Sequence, residues 1–145
     1  MSQRYDYDVM VIGAGIAGFV SAVTVNSLGK RVAIVEKRKL GGNCTNFTCI
    51  PSKALIRMSH VSRELAALHP SREQDPSSGG LDSRHVMDRV RSVTGRIYEK
   101  DLPETFEEIG IHVLHGTAAF VDRHHIEVDG RRISSGKFIL ATGTR

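Results

Sequence analysis

Tryptophan is absent from this 145-residue sequence, and five phenylalanines and three tyrosines are its only aromatic side chains. So sparse an aromatic set offers little for stacking on bases. The basic residues (20 Lys+Arg against 16 Asp+Glu, net +4) are mostly interleaved with acids, with short clusters such as Lys37-Arg38-Lys39 and Arg131-Arg132. Solvated surface charge accounts for that pattern, and a nucleic-acid function is set aside. Cysteine is scarce too: Cys44 and Cys49 are the only two. That excludes a disulfide scaffold, and 14 glycines with 4 prolines exclude a collagen-like chain. Met1–Asp8 carries no apolar run, so no secretory signal is expected and the chain reads as cytoplasmic. A uniformly apolar span is also lacking. Val9 to Leu28 is twenty residues without a charge, which is membrane-spanning length. It starts β-branched at Val9, Val11 and Ile12, is cut by Gly13 and Gly15, and holds Ser21, Thr24 and Asn26. A strand, a glycine turn and a helix fit it better, so no membrane partner is expected.

What is present suits one globular domain. Forty percent of the residues are hydrophobic and 25% charged, enough for one core without staples. Asp8 to Ile12 reads as a buried strand, Ile16 to Leu28 as a helix stopped by Gly29, and Arg31 to Glu36 as a second strand. Strand, helix and strand in so short a span form a βαβ unit with parallel strands. Leu40 to Thr48 reads as a glycine-containing loop, and Ser52 to Leu68 as a helix with Pro51 in its first turn. His69 to Gly80 has loop composition. Ser83 is the expected cap of a long helix with its apolar stripe at Val86, Val90, Val93 and Ile97. The stripe shifts phase near Pro103, where a kink or break is expected. Four short β segments follow at His112–His115, Ala118–Val121, Ile126–Val128 and Arg131–Ser135. Asp129-Gly130 is a hairpin turn signal, and Phe138–Ala141 reads as a last buried strand. The fold class is α/β: a Rossmann-like parallel sheet with a small antiparallel β segment.

Gly13-Ala14-Gly15-Ile16-Ala17-Gly18 matches G-x-G-x-x-G between the first strand and its helix. Gly13 makes the tight turn, Gly15 lets a pyrophosphate approach the backbone, and Gly18 lets the helix pack on the strand. The anion then meets the free N–H groups at the helix start. Glu36 closes the second strand at about the spacing expected of a carboxylate that binds a ribose hydroxyl. An acid there repels a 2′-phosphate, so FAD or NAD fits better than NADP.

Cys44 and Cys49 lie just beyond this unit as C-x₄-C. Two thiols cycling to a disulfide carry two electrons, the same count as a flavin. Five residues of ideal helix rise about 7.5 Å, beyond the roughly 4.4–6.8 Å between Cα atoms that a disulfide allows. If the two cysteines are a redox pair, the backbone between them is irregular. Two other readings stay open on spacing alone: a zinc site, which the unclustered histidines do not favour, and two inert buried thiols. No metal site is expected. The pair His124-His125 reads as hairpin surface.

Together, Gly13–Gly18, Ala22, Gly29, Val32, Glu36, the run Gly41-Gly42-Asn43-Cys44 to Cys49-Ile50-Pro51-Ser52-Lys53, Gly116-Thr117-Ala118 and Ala141-Thr142-Gly143 resemble the flavoprotein disulfide reductases of the pyridine nucleotide–disulfide oxidoreductase family. The resemblance implies FAD as the bound dinucleotide and residues 1–145 as the N-terminal portion of its binding domain. It implies that Cys44 is the interchange thiol and that Cys49 faces the flavin as a charge-transfer thiolate. Lys53 then stabilises that thiolate and the reduced flavin, because a nearby cation lowers a thiol pKa. The cofactor site it implies is Gly13, Gly15, Gly18, Glu36, Lys37, Gly42, Asn43, Cys44, Lys53, Ala118, Thr142 and Gly143, with Ala118 contacting the adenine through its backbone. Two residues depart from the family pattern: Asn43 stands where it often has Thr, and Thr48 where it often has Gly. No second G-x-G-x-x-G follows, and no residue is assignable as the family's acid–base histidine. The resemblance thus implies an NAD(P) domain and a homodimerisation domain outside these residues, a small-molecule disulfide or related acceptor as substrate, and little turnover by this stretch alone. Alternatives are a soluble pyridine nucleotide transhydrogenase and a stand-alone flavin-binding module.

Overall fold

The computed structural model describes residues 5–68 and 82–144. The expected loop at His69 to Gly80 lies outside them. The first βαβ unit consists of β1 (Tyr7–Ile12), α1 (Ile16–Ser27) and β2 (Val32–Glu36). Its strands are apolar on both faces, as parallel strands covered on both sides require. Met10, Ala33 and Val35 point one way and Val11, Val32 and Ile34 the other, all of them buried. Gly18 and Ala22, the small residues of α1, are the buried ones on that helix.

Three further helices follow: α2 (Gly42–Asn46), α3 (Cys49–Leu68) and α4 (Ser83–Arg96). The segment read as a loop thus contains a short helix. Gly41 at φ +83° supplies its left-handed entry, and the Asn46 amide donates to the Leu40 and Gly42 carbonyls at 2.9 Å. Asp82, not Ser83, caps α4: its carboxylate accepts from the Arg84 N–H at 3.0 Å. A π-helical turn at Ile97–Asp101 then leads into α5 (Leu102–Glu108). The extra residue per turn takes up the phase shift of the apolar stripe, so the break falls before Pro103, which sits in the first turn of α5. Phe106 of α5 is 1% exposed and meets Phe19 of α1 edge-on, at 5.4 Å between ring centroids.

The remaining strands are β3 (His112–His115), β4 (Ala118–Phe120), β5 (His125–Val128) and β6 (Arg131–Leu140). The sheet order is β3-β2-β1-β6-β5-β4. The pairs β1–β2, β1–β6 and β2–β3 are parallel, while β4–β5 and β5–β6 are antiparallel. Asp129 and Gly130 turn the β5–β6 hairpin with φ +47° and +83°, the pair of positive angles a type I′ turn needs. The two strands expected at Arg131–Ser135 and Phe138–Ala141 are one continuous strand. Its first half pairs with β5 and its second half with β1. Ser135 sits at the changeover, fully buried, with its hydroxyl donated to the Lys137 carbonyl at 2.8 Å. Ile126, Val128 and Ile133 of this antiparallel arm pack with Met10, Ala33 and Val35 into a second core. His124 is not plain hairpin surface: its ring stacks on Tyr5 at 4.9 Å, and Nδ1 lies 3.2 Å from the Ser135 carbonyl oxygen.

Candidate active site

Strand order reverses at β1, which has β2 on one side and β6 on the other. In open α/β sheets that switch point leaves a crevice beyond the carboxyl ends of the strands. Here it is a cavity of about 620 Å³ lined by Gly13, Gly15, Glu36, Cys44, Thr142 and Gly143 among others. Three short bonds hold its floor. The Gly13 N–H donates to the Val35 carbonyl, the Ala141 N–H to that of Ile12 and the Gly41 N–H to that of Ala14, each at 2.8 Å. The loop after β1, the loop after β6 and the entry to α2 are thereby fixed relative to one another.

The start of α1 points into this cavity. Gly15 occupies its cap position without a side-chain cap, and the first turn contains no acid. Its leading N–H groups and the positive end of the helix dipole are left for an anion. The glycines make room for one. Gly13 has φ +103°, and any Cβ there would run into the Ala141 carbonyl. A Cβ at Gly18 would strike the Gly13 carbonyl oxygen, so this glycine serves close packing rather than ligand contact. A Cβ at Gly15 would have only Gly42 Cα near it, at 3.9 Å, so the space beside the helix start is unfilled. Glu36 is held from two directions: its carboxylate accepts from the Ala14 N–H and the Arg38 N–H, both at 2.8 Å. Its remaining lone pairs can accept from a ligand hydroxyl. These groups fit an anionic dinucleotide.

Cys44 and Cys49 form a disulfide with Cα atoms 4.7 Å apart. The required irregularity lies at Phe47-Thr48, between α2 and α3. The Phe47 and Thr48 N–H groups both turn back to the Asn43 carbonyl, at 2.9 and 3.0 Å. Cys49 begins the 20-residue α3, and the positive end of a helix there favours a thiolate once the bond opens. Among the described residues no three His, Cys, Asp or Glu side chains gather to hold a metal ion.

Most of the residues expected at the site come together. Gly13, Gly15, Glu36, Lys37, Gly42, Asn43, Cys44, Thr142 and Gly143 line the one cavity. Four do not. Gly18 packs α1 against the turn, and Cys49 is joined to the lining residue Cys44 by the disulfide without lining the cavity itself. Lys53 is exposed on α3, one turn beyond Cys49 and on the same face. Ala118 opens β4 and packs on the second core. Its run still borders the site, because the Gly116 N–H donates to the Glu36 carbonyl at 3.0 Å. Sequence reasoning missed Arg38, Lys39, Asn46, Phe47 and Thr144 as wall residues. Phe47 carried a signal: it is an apolar side chain in a polar run, and it stands 71% exposed.

Comparison with known proteins agrees with this geometry. Residues 7–145 match the pyridine nucleotide-disulphide oxidoreductase family model. The chain is 33% identical to mercuric reductase of Staphylococcus aureus over 138 residues, covering 95% of this chain and 25% of that protein. It is 33% identical to dihydrolipoamide dehydrogenase of Chaetomium thermophilum over 148 residues, 96% of this chain and 29% of that one. Among solved structures, the HOCl-induced flavoprotein disulfide reductase RclA of Escherichia coli matches with a TM-score of 0.74 at 27% identity, over 96% of this chain and 28% of that chain. The chain thus spans about a quarter of the length of the curated relatives it matches. The Rossmann-like α/β architecture, the glycine turn and the cysteine pair are those of one family, and this chain belongs to the pyridine nucleotide-disulphide oxidoreductases.

Proposed function

We propose that the chain is the FAD-binding portion of a flavin-dependent NAD(P)H:disulfide oxidoreductase that works through Cys44 and Cys49. The observation that carries this reading is the disulfide at the wall of a crevice shaped for an anionic dinucleotide. FAD bound there supplies two-electron transfer between a nicotinamide and the cysteine pair. The N–H groups at the start of α1 bind the pyrophosphate, and Glu36 accepts from a ribose hydroxyl. Lys37 and the Gly116-Thr117-Ala118 backbone flank the adenosine end; Gly42, Asn43, Thr142 and Gly143 wall the flavin end. Two electrons and one proton open the disulfide to a Cys44 thiol and a Cys49 thiolate, with Lys53 and the start of α3 stabilising the negative charge. Cys44 gives its proton up to solvent and, as thiolate, attacks a substrate disulfide, releasing one substrate thiolate that can take up a proton in turn. Cys49 attacks the Cys44 sulfur of the mixed disulfide, expels the second thiolate and restores the Cys44–Cys49 bond. The full-length protein acts as a cytoplasmic homodimer on a small-molecule disulfide or related acceptor; no helix of the described residues is long and apolar enough to cross a membrane.

Anaerobic reductive titration of the flavin-loaded full-length protein tests this. A long-wavelength absorbance band should grow with the first two electrons and vanish in Cys49→Ser. Its absence in the wild type would remove the role given to Cys49. Hydride exchange between two nicotinamides that persists in Cys44→Ser would instead favour a transhydrogenase.

A further inference from the structure

We infer that the Thr48 hydroxyl is a switchable hydrogen-bond donor that turns to the Cys49 sulfur when the disulfide opens, and so sets the dithiol–disulfide equilibrium. The inference rests on the proposed redox cycling of Cys44 and Cys49. Thr48 Oγ1 lies 3.6 Å from Cys49 Sγ and 3.2 Å from the Asn43 carbonyl oxygen. The Thr48 carbonyl accepts the Ser52 N–H at 2.9 Å, so Thr48 stands at the cap position of α3. A threonine there normally spends its side-chain oxygen on the first free N–H groups of the helix. This one reaches backward instead.

Its oxidised-state partner is already crowded. The Asn43 carbonyl accepts the N–H groups of Phe47 and Thr48 at 2.9 and 3.0 Å. A carbonyl oxygen has two lone pairs, so the hydroxyl is a third donor on a filled acceptor. Little is lost when it leaves. In the disulfide, Cys49 Sγ is a weak, neutral acceptor. Reduction by two electrons and one proton leaves a thiol on Cys44 and a thiolate on Cys49. The thiolate is then the stronger acceptor within reach of the Thr48 proton, and a charge-assisted bond forms after a rotation about one side-chain torsion. No proton is transferred; the hydroxyl keeps its hydrogen and changes acceptor.

The test uses the flavin-loaded full-length protein, equilibrated anaerobically with reduced and oxidised dithiothreitol, with the Cys44/Cys49 dithiol counted by alkylation and mass. Thr48→Val and Thr48→Ala remove the hydroxyl; Thr48→Ser keeps it. Loss of a hydrogen bond to a charged group should shift the equilibrium about tenfold toward the disulfide in both, about 30 mV for a two-electron couple. Thr48→Ser should stay near the wild type. A purely structural role would lower the unfolding midpoint without this split between hydroxyl-bearing and hydroxyl-free variants. If the wild type cycles reversibly and Thr48→Val and Thr48→Ala match it, the hydroxyl has no such role, while the proposed function stands. If the wild type shows no reversible dithiol–disulfide equilibrium, both fall together.

Discussion

Glycines at Gly18 and Gly95 show how one residue type serves two ends. Gly18 lies on the buried face of α1, where an added Cβ would be driven into the Gly13 carbonyl oxygen. That oxygen belongs to backbone pinned between β2 and the loop after β6, so it cannot yield cheaply. Gly95 lies within α4 with nothing within 4 Å of an added Cβ. There glycine only adds freedom to the unfolded chain. Gly18→Ala should therefore destabilise the fold by about 1–3 kcal/mol through overpacking, and Gly95→Ala should stabilise it by about 0.4–1 kcal/mol. Urea unfolding of the two variants, read as opposite shifts of the midpoint at unchanged slope, checks the pair. Equal shifts in one direction would show that backbone freedom, not the Gly13 contact, governs both positions.

At the scale of elements, the antiparallel arm is tied together by Asp122. Its carboxylate accepts from the His124 N–H at 2.8 Å, from His125 Nδ1 at 2.9 Å and from Arg132 at 2.9 Å. The His124 backbone bond, followed by the His125 side chain, holds the Asp122 carboxyl down at about 2 from its ordinary 3.8. Below 3.8 the unfolded chain therefore binds more protons at this site than the fold does. The stabilisation is complete above that pH and is lost as pH falls from there through about 2. Urea midpoints followed from pH 5 to pH 2 should drop more steeply for the wild type than for Asp122→Asn, as linkage requires. Parallel curves would exclude Asp122 as a source of acid lability. The same arm shows what could not be read in advance. The β1–α1–β2 unit was legible because buried apolar runs and glycines coincide there. Strand β6 was not, because Ser134-Ser135-Gly136-Lys137 interrupts its apolar run at the place where pairing passes from β5 to β1. Helix α2 was hidden by its composition, glycine, asparagine and threonine, and depends on the Asn46 amide and the disulfide instead of helix propensity.

The whole molecule leaves much of its site and sheet uncovered. Among the described residues only the β1 side of the later half of β6 is paired, since its pairing with β5 ends at Ser134. Leu140, at the end of that strand, is 67% exposed, and Phe47, at the cavity wall, is 71% exposed. No residue of α3 is fully buried, and Ile56, Leu65 and Leu68 on it are more than half exposed. Unpaired strand edges and apolar patches of this kind associate. Affinity suffers too. On the proposed function the crevice would hold FAD from its floor alone, whereas ligand sites usually bury most of their ligand's surface. The matched relatives are three to four times as long, which leaves room in them for segments that cover these surfaces. A polypeptide of residues 1–145 should therefore lose FAD on gel filtration, elute at an apparent mass that rises with concentration, and show no NADH-driven disulfide reduction, while its Cys44–Cys49 disulfide still opens with dithiothreitol. Gel filtration at several concentrations with flavin absorbance read across the peak, thiol counting by alkylation, and NADH oxidation followed in the presence of a disulfide test the four expectations. A monomer that keeps stoichiometric flavin and turns over NADH would show that the crevice as it stands is sufficient, and that the exposed edge of β6 and the apolar face of α3 are compatible with a self-contained enzyme.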